Sequence, residues 1–267
     1  MNETDLLTDI AYPVFAETLP TQPLVEKKYE VRFAQTAGEL DAVLKLRFEV
    51  FNLELGEGLD ESYATRRDRD EFDAVCHHLM VVERATGAVV GTYRMQNSGM
   101  AERYRGFYSN IEFDLSTFPE AVIRNSVELG RACVALEHRN TQVLFLLWKG
   151  LALYVATQGK RYLFGCSSLT SQDPQEGLAT MRYLEDRGHV HPDFRIEPQP
   201  GFACYDETLE LDPEFKVKLP KLFRIYLRHG AKICGPPVID RQFKTIDFLV
   251  IFDVEAMDER MFRTYFG

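Results

Sequence analysis

The chain has 267 residues, of which 45% are hydrophobic, and 31 Lys+Arg against 41 Asp+Glu give it a net charge of −10. A chain of this size buries one sizeable core, and its acidity argues against general nucleic-acid binding, which depends on neutralising phosphates. Its five cysteines lie far apart without a CxxC pair, which favours reduced thiols in a cytoplasmic protein over a disulfide framework.

The chain begins with a segment that contains Pro13, Pro20 and Pro23. Residues 1–28 are therefore predicted to form an extended N-terminal arm, followed by one domain over residues 29–267. Thr36 is a candidate N-cap for a helix over residues 37–53. The charged, glycine-containing stretch that follows, up to Cys76, is expected to form a surface loop with at most one helical turn.

The remaining elements follow from apolar runs and their periodicity. Strands are predicted over residues 29–33, 78–83, 88–96, 126–135, 162–167, 202–206 and 247–254. Helices are predicted over residues 100–104, 142–157, 174–187, 219–229 and 258–265. Strands are too many for a strict βαβ alternation, and a hairpin comes early. The sequence therefore predicts an α/β fold with a mixed central sheet and helices on both faces.

The central strand, residues 126–135, carries Glu128 and Arg131 among small and apolar residues. Charges enter a core strand only when they are paired or face a site. Residues three apart lie on opposite faces of a strand unless a bulge intervenes, so a bulge or a split of the strand is expected here. Further charges in apolar surroundings are Arg47, Asp70, Asp73 and Arg94. They fit structural ion pairs that pin the loop to the sheet about as well as they fit a functional site.

A search for catalytic motifs finds no enzyme nucleophile. Ser126 and Ser167 lack the GxSxG elbow, and neither a P-loop nor a GxGxxG motif is present. The histidine pairs at residues 77–78 and at 189 and 191 lack a nearby carboxylate set, so solvated or core-edge histidines are favoured and no metal site is predicted.

An ordered set of motifs covers about residues 30–255 and is more specific than any one of its members. The motifs are LRFEVFNLELG (46–56), DRDEFDAVCHHLMV (68–81), VVGTYRM (89–95), VELGRACV (127–134), HRNTQVLFLLWKGLALY (138–154), LFGCSSL (163–169) and LPKLFRIYLRHGAKICGPPVIDRQFKTIDFLVI (219–251). This set resembles the acyl-carrier-protein-dependent N-acyltransferases of the GNAT superfamily, in particular the ornithine/amino-acid N-acyltransferases labelled hemolysin-like. It is more distantly similar to the acyl-homoserine-lactone synthases.

The resemblance implies a GNAT (acyl-CoA N-acyltransferase) fold in which two parallel strands, near residues 126–135 and 162–168, splay apart around a pantetheine arm. Backbone N–H groups near Cys133, Val134 and Ala135 would polarise the thioester carbonyl. The helix start that follows, with Arg139, Asn140 and Thr141, would take the donor phosphate. The glycines of the usual GNAT pyrophosphate loop are missing at this point, which favours a carrier-protein phosphopantetheine with one phosphate over free CoA.

The resemblance also assigns roles to the charged residues. Glu128 is the candidate that deprotonates the substrate amine, directly or through a water, and its structural alternative is an ion pair with Arg47 or Arg94. Substrate-binding residues carried over by position are Arg47, Phe51, Asp70, Asp73, Arg94 and Arg131. Arg94 or Arg131 would hold a substrate carboxylate as a fork. Acidic carrier proteins would dock on basic faces, such as the stripe of Lys218, Lys221, Arg224 and Arg228 or the cluster of Arg66, Arg67 and Arg69.

The function expected from this resemblance is transfer of a long-chain acyl group, 3-hydroxyacyl groups included, from an acyl carrier protein thioester to the amine of an amino acid of the ornithine type. The product would be a lyso-amino-lipid or an N-acyl amino acid. Expected partners are the carrier protein, the amino acid and transiently a membrane surface, with no nucleic acid and no permanently bound cofactor. The expected location is the cytoplasm, including its membrane face. The alternatives are an acetyl- or acyl-CoA-dependent acetyltransferase on a small amine and a non-catalytic acyl- or lipid-binding protein.

Overall fold

A mixed sheet of nine strands forms within residues 12–267, the part of the chain that the computed structural model describes. The strands are β1 (Leu24–Glu26), β2 (Tyr29–Phe33), β3 (His77–Glu83), β4 (Val89–Asn97), β5 (Ser126–Val134), β6 (Tyr162–Leu169), β7 (Lys232–Ile233), β8 (Val238–Asp240) and β9 (Thr245–Asp253). Their order is β1-β2-β3-β4-β5-β6-β9-β7, with β8 also paired to β9. The pair β5–β6 is parallel, while β1–β4 and the pairs of β9 are antiparallel, so the predicted mixed sheet is confirmed.

Eight α-helices lie in the same described range. They are α1 (Ala37–Phe48), α2 (Ser62–Thr65), α3 (Ser98–Glu102), α4 (Glu120–Arg124), α5 (Thr141–Gln158), α6 (Pro174–Asp186), α7 (Lys221–Arg228) and α8 (Glu259–Phe266). Within residues 12–267, every helix is too short or too polar to cross a lipid bilayer.

The first of two compact units comprises residues 12–106, 129–160 and 263–267 of the described chain. Leu79 and Met80 are consecutive in β3 and therefore face opposite sides of the sheet. Met80 packs with Val43 of α1, whereas Leu79 lies against α5 at Gly150, where a Cβ would come within 2.6 Å of Leu79 Cδ1. Helices α1 and α5 thus cover opposite faces of this unit, as predicted, and the close approach of α5 requires a glycine.

Helix α1 begins where the sequence predicts, because Thr36 Oγ1 accepts the backbone N–H of Glu39 at 3.2 Å. The predicted helix over residues 37–53 changes character after Phe48, however, and continues as a π-helix over Glu49–Leu55. This wider segment ends at Gly56, whose φ of +70° is the left-handed conformation common after helices. Short π-helical segments occur frequently at functional sites.

The second compact unit comprises residues 107–128 and 161–262. Its framework is the antiparallel pair β6–β9, which runs from Tyr162 opposite Asp253 to Leu169 opposite Ile246. Helix α7 packs on β9 through Phe223 and Phe248, whose ring centroids are 5.6 Å apart. The predicted strand over residues 202–206 is wrong, since only a single bridge at Ala203 forms there.

The predicted N-terminal arm falls partly within the described residues, and residues 1–11 lie outside them. In the described part, Leu24–Glu26 forms strand β1, which pairs with β2, so this part is an edge strand of the sheet. Phe15 is buried and packs with Val75 and Met100. The described part of the predicted arm, residues 12–28, thus contacts the sheet and the core of the first unit.

Candidate active site

A buried ion pair network occupies the α1 side of β3 and β4 in the first unit. Arg47 on α1 is fully buried and donates from Nε to Asp68 Oδ2 at 2.7 Å. Its Nη1 and Nη2 donate to Asp73 Oδ1 and Oδ2 at 2.6 and 3.3 Å. Asp68, Phe72 and Asp73 are themselves buried. The loop before Cys76, which was predicted to lie on the surface, is thus held in the protein interior by its aspartates. The single helical turn expected in this loop is present as α2.

Two further arginines complete the network around Asp70. Arg94 Nη1 on β4 donates to both oxygens of Asp70 at 2.6 Å and to Asp73 Oδ1 at 3.2 Å. Arg131 Nη2 on β5 donates to Asp70 Oδ2 at 3.2 Å, and its Nε lies 3.5 Å from Asp68 Oδ2. The structure therefore brings five of the predicted charged residues into one network: Arg47, Asp70, Asp73, Arg94 and Arg131. It also adds Asp68, which sequence reasoning missed.

The backbone of Arg131 explains how it reaches this network. Its φ is +49°, in the left-handed region that residues other than glycine seldom adopt. A residue in this conformation interrupts the alternation of a strand. The irregularity expected between Glu128 and Arg131 is confirmed by this angle.

The network is neutral overall, since three arginines face three aspartates. Burial alone would raise the pKa of Asp73, but the guanidiniums of Arg47 and Arg94 outweigh it and hold this pKa well below its usual value. Burial lowers the pKa of His78 to about 4 despite the Asp73 carboxylate beside it. His78 is therefore uncharged at neutral pH and adds no cation, so the six ionic groups compensate one another. Phe51, the predicted aromatic partner, is buried in the π-helix beside this region.

Glu128 lies in the second unit and is held by backbone groups. Its Oε2 accepts the N–H of Tyr108 at 2.8 Å, and its Oε1 accepts the N–H of Ser109 at 2.7 Å. These amides begin a short 3₁₀-helix, Tyr108–Ile111. Hydrogen bonds of this kind hold a carboxylate in a defined orientation.

Other acidic groups surround Cys166 in the second unit. Cys166 Sγ lies 3.6 Å from Ser109 Oγ and 3.8 Å from Glu112 Oε2. Burial raises the pKa of Cys166 well above its usual value, and the charges of Glu112, Asp247 and Glu128 raise it further. Glu112, Cys166 and Asp247 place potential metal-ligand atoms within 4.8 Å of one another. Sequence reasoning missed Glu112 and Asp247, because they lie far apart in the chain.

The predicted thioester-binding segment is largely engaged in internal contacts. The N–H of Ala135 donates to Val90 O at 2.9 Å. Ala135 is therefore not an oxyanion donor in this conformation, and the candidates that remain for polarising the thioester carbonyl are Cys133 and Val134. The side chain of Cys133 is buried, and burial raises its thiol pKa to about 12, which fits a role for its backbone only. Arg139 Nε donates to Val134 O at 3.0 Å.

The start of α5 carries the predicted phosphate-binding residues. Asn140 is the N-cap, and its Oδ1 accepts the N–H of Val143 at 3.0 Å. The first N–H groups of a helix, here those of Thr141 and Gln142, have no acceptor inside the helix. The Nη atoms of Arg139 pair with both carboxylate oxygens of Glu54 at 2.5 and 2.6 Å. A phosphate would have to compete with Glu54 for this guanidinium.

The parallel ladder of β5 with β6 is short. It joins Ser126–Glu128 to Tyr162–Phe164. Within the described residues it ends there, although β5 continues to Val134 and β6 to Leu169. The edge groups of β5 beyond Glu128 are thus not used by this ladder.

Comparisons with known proteins define the class. A family model described as Acetyltransferase (GNAT) domain matches residues 46–149. Among solved structures, FeeM, an N-acyl amino acid synthase from uncultured soil microbes, aligns with a TM-score of 0.51 and 12% identity over 88% of this chain and 93% of that chain. At this identity the likeness shows the fold alone. The fold is that of the GNAT acyltransferases, as predicted.

Full-length relatives define the family within this class. The chain is 32% identical over 255 residues to an L-ornithine N(alpha)-acyltransferase of Rhizobium meliloti (strain 1021), which covers 89% of this chain and 84% of the relative. It is 31% identical over 252 residues to an L-ornithine N(alpha)-acyltransferase of Brucella abortus (strain 2308), covering 89% and 88%. The chain belongs to this family of N-acyltransferases, and the predictions of the family and of an acyltransferase enzyme are confirmed.

Proposed function

We propose that the protein transfers a long-chain acyl group, 3-hydroxyacyl groups included, from an acyl carrier protein thioester to the α-amine of ornithine or a similar amino acid. The observation that carries this proposal is the 32% identity with an L-ornithine N(alpha)-acyltransferase over 89% of the chain. The product is an N-acyl amino acid, that is, a lyso-amino-lipid when the chain is long.

The chemistry needs few protein groups, because the acceptor amine is the nucleophile. The ammonium first loses a proton, and the neutral nitrogen then attacks the thioester carbon. As the amide forms, the C–S bond breaks, the nitrogen releases a second proton, and the leaving thiolate takes up a proton. Glu128, oriented by the N–H groups of Tyr108 and Ser109, is the proposed acceptor of the amine proton, directly or through a water.

The proposed donor site uses β5 and the start of α5. The β5–β6 ladder stops at Glu128, so later edge groups of β5 are available to hydrogen-bond a pantetheine arm. The N–H groups of Cys133 and Val134 are the proposed oxyanion donors. The first turn of α5 with Arg139 is proposed to take the phosphate, which replaces Glu54.

A basic face on α7 supports a carrier protein as donor. Lys221, Arg224 and Arg228 of α7 are exposed, as is Lys218 just before the helix, whereas Phe223 and Leu227 of the helix are buried. The helix therefore presents cations outward on an acidic chain, and acidic carrier proteins would be attracted to them. Transient contact with anionic lipid at the same face would follow the same physics.

A CoA thioester is the second candidate donor, because the matching family model is described as an acetyltransferase domain. The two donors are separated by incubating the protein with equal concentrations of acyl carrier protein or CoA thioesters of the same chain and a panel of amino acids. Products are read by mass spectrometry. We expect an ornithine amide from the carrier-protein donor, and no amide from either donor would refute the proposed function.

The basic face is tested by Arg224→Glu, which reverses one exposed charge on α7. This variant should raise KM for the acyl carrier protein without changing KM for a small acyl-pantetheine donor. Arg182→Glu, at an exposed arginine on α6, is the matched control and should change neither. Equal effects of both variants, or no effect of salt on KM, would contradict docking at α7.

A further inference from the structure

Gln96 lies near the C-terminal end of strand β4, and its side chain is on the same face of the sheet as the ion pair network. Arg94 and Gln96 are two residues apart on one strand, so their side chains share a face and their Cα atoms are about 7 Å apart. Arg94 reaches Asp70 and Asp73 on this face. Gln96 is only 1% exposed, which places an uncharged amide next to the network in the protein interior.

The amide of Gln96 has no hydrogen-bond partner among the described residues, at either its nitrogen or its oxygen. A buried polar group without a partner costs about 1–3 kcal/mol, and such groups are rare in folded proteins. The neighbouring Asn97 shows the usual situation, since its amide nitrogen donates to Gln158 and its oxygen caps the N–H of Met100. Asn97 thus finds partners at both ends of its amide, whereas its neighbour Gln96 has none at either end within residues 12–267.

Other polar atoms of the same region are unmatched as well. Asp68 Oδ1 and His78 Nδ1 are buried without a partner among the described residues. Both belong to residues that join the network through their other atoms, Asp68 Oδ2 and His78 Nε2. Unmatched polar atoms thus occur both in the network and at Gln96, on the face of the sheet that carries Arg94, which points to a polar ligand there.

Thr92 provides a contrast on the same face. Its hydroxyl is also buried and unmatched within residues 12–267, but Thr92 lies in mid-strand opposite Met80. Met80 belongs to the apolar cluster with Val43, where a polar ligand would find no other partner. Gln96 instead lies beyond Met95, the last residue of β4 paired with β3.

We propose that Gln96 binds the α-amino-carboxylate head group of the acceptor. This inference rests on the proposed function and adds to it a residue that recognises the acceptor. A glutamine amide offers both donors and acceptors, so Nε2 would donate to the acceptor carboxylate and Oε1 would accept an N–H of its amine. The network beside it is neutral, and a head group that enters with one carboxylate and one ammonium adds no net charge to this buried region.

The geometry suits the reaction as well as recognition. An amine that donates an N–H to Oε1 is held with its lone pair directed away from that bond, so the lone pair remains free to attack a thioester. Since Gln96 is shielded from water, its hydrogen bonds with the acceptor are stronger than at an exposed site. Gln96 is therefore a specificity residue rather than an acid or a base.

The first test is Gln96→Met, which keeps the size of the side chain and removes its hydrogen bonds. We expect KM for the amino acid to rise about tenfold or more, since each lost bond to a charged group is worth about 1.5–3 kcal/mol. KM for the acyl donor should stay unchanged, and the melting temperature should stay equal or rise, because an unmatched buried amide is removed. Thr92→Val is the matched control and should leave KM for the amino acid unchanged.

An unchanged KM for the amino acid in Gln96→Met would overturn the inference, and a lowered melting temperature with unchanged KM would show a structural role instead. Ornithine should raise the melting temperature of the wild type without any donor, and this shift should disappear in Gln96→Met. The shift in melting temperature measures binding of ornithine and does not depend on acyl transfer. A wild type that binds ornithine without acylating it would therefore refute the proposed function while leaving the assignment of Gln96 intact.

The second variant, Gln96→Glu, covers the case in which Gln96→Met does not fold. A glutamate would repel the acceptor carboxylate, so the ratio of kcat/KM for ornithine to that for 1,4-diaminobutane, which lacks the carboxylate, should fall at least about tenfold. A structural role would lower both values equally and leave the ratio unchanged, which would overturn the inference.

Discussion

The buried arginine of α1 offers the sharpest test of the network. Arg47 is fully buried and makes three hydrogen bonds to Asp68 and Asp73, which are also buried. Replacing it in Arg47→Met keeps an apolar side chain of similar length but leaves two buried carboxylates with one arginine fewer. We therefore expect the variant to be strongly destabilised.

The magnitude follows from the burial of both partners. Breaking a buried ion pair on one side costs about 3–5 kcal/mol, because the remaining charge is uncompensated. Asp68 keeps Arg131 Nε at 3.5 Å and Asp73 keeps Arg94 at 3.2 Å, so the loss should not exceed this range. A domain is stable by about 5–15 kcal/mol in total, so the variant should remain mostly folded unless the stability of the wild type lies near the lower end of this range.

Arg67→Met is the matched control, since Arg67 also pairs in a bidentate way with an aspartate, Asp41, at 2.7 Å. That pair is partly exposed, so its removal should cost less than about 1 kcal/mol. Urea unfolding followed by circular dichroism measures both variants. A loss in Arg47→Met no larger than in Arg67→Met would refute the assigned role of burial.

The pH dependence gives a second check on the same variant. The pKa of Asp73 is held well below its usual value in the folded protein. The ionised form of Asp73 therefore stabilises the fold above about pH 4, which is the pKa of an aspartate in the unfolded chain. This contribution to stability is lost as the pH falls below that value. Without Arg47 the pKa of Asp73 rises and the contribution shrinks. The difference between wild type and Arg47→Met should thus be largest at pH 7 and narrow below pH 4, and a constant difference would contradict this reasoning.

Three further predictions follow from single groups. Glu128→Gln should lower kcat by about 10²-fold or more, as expected for loss of a proton acceptor, and it should also lower the melting temperature, since Nε2 cannot accept one of the two backbone N–H groups that the carboxylate accepts; full activity would exclude the proton-acceptor role. Burial lowers the pKa values of His77 and His78 to about 4, so the unfolded chain binds more protons between pH 6.5 and 4. The unfolding free energy should fall across this window by about 1.4 kcal/mol per pH unit for each histidine, and His77→Gln should reduce the slope. Burial raises the pKa values of Cys133 and Cys204 to about 12; both should resist a thiol reagent at pH 8 until the protein is denatured, as measured by mass spectrometry.

Local patterns predicted the elements well where packing and propensity agree. Helix α5 was predicted over residues 142–157 and spans Thr141–Gln158, because its apolar residues and its N-cap lie within one stretch of sequence. Strand β2 was predicted with its observed bounds. The short strands β7 and β8 were missed, because two or three residues beside a proline turn carry no periodicity and are held by pairing with β9.

The site could be predicted only in part, because its contacts are distant in sequence. The charges of the first unit were found as residues unusual for their surroundings, but Asp68 was not, although Arg47 binds it across 21 positions. The alternation of acidic and basic residues at Asp68, Arg69 and Asp70 could have indicated that Asp68 belongs to the network. Two acidic residues that lie two positions apart in an extended segment can each pair with a different arginine. Nothing in the sequence marked Gln96, because an unmatched amide becomes visible only when its surroundings are known.

The network divides into two parts that serve different ends. Arg47, Asp68 and Asp73 have side chains exposed by at most 1%, whereas the side chains of Asp70 and Arg131 are 13% and 8% exposed. Asp70 is also the carboxylate that Arg94 and Arg131 share. The deeper trio fixes the loop on the sheet. If Arg94 or Arg131 holds a substrate carboxylate, as the resemblance implies, that carboxylate would share these arginines with Asp70 and no buried charge would be left alone.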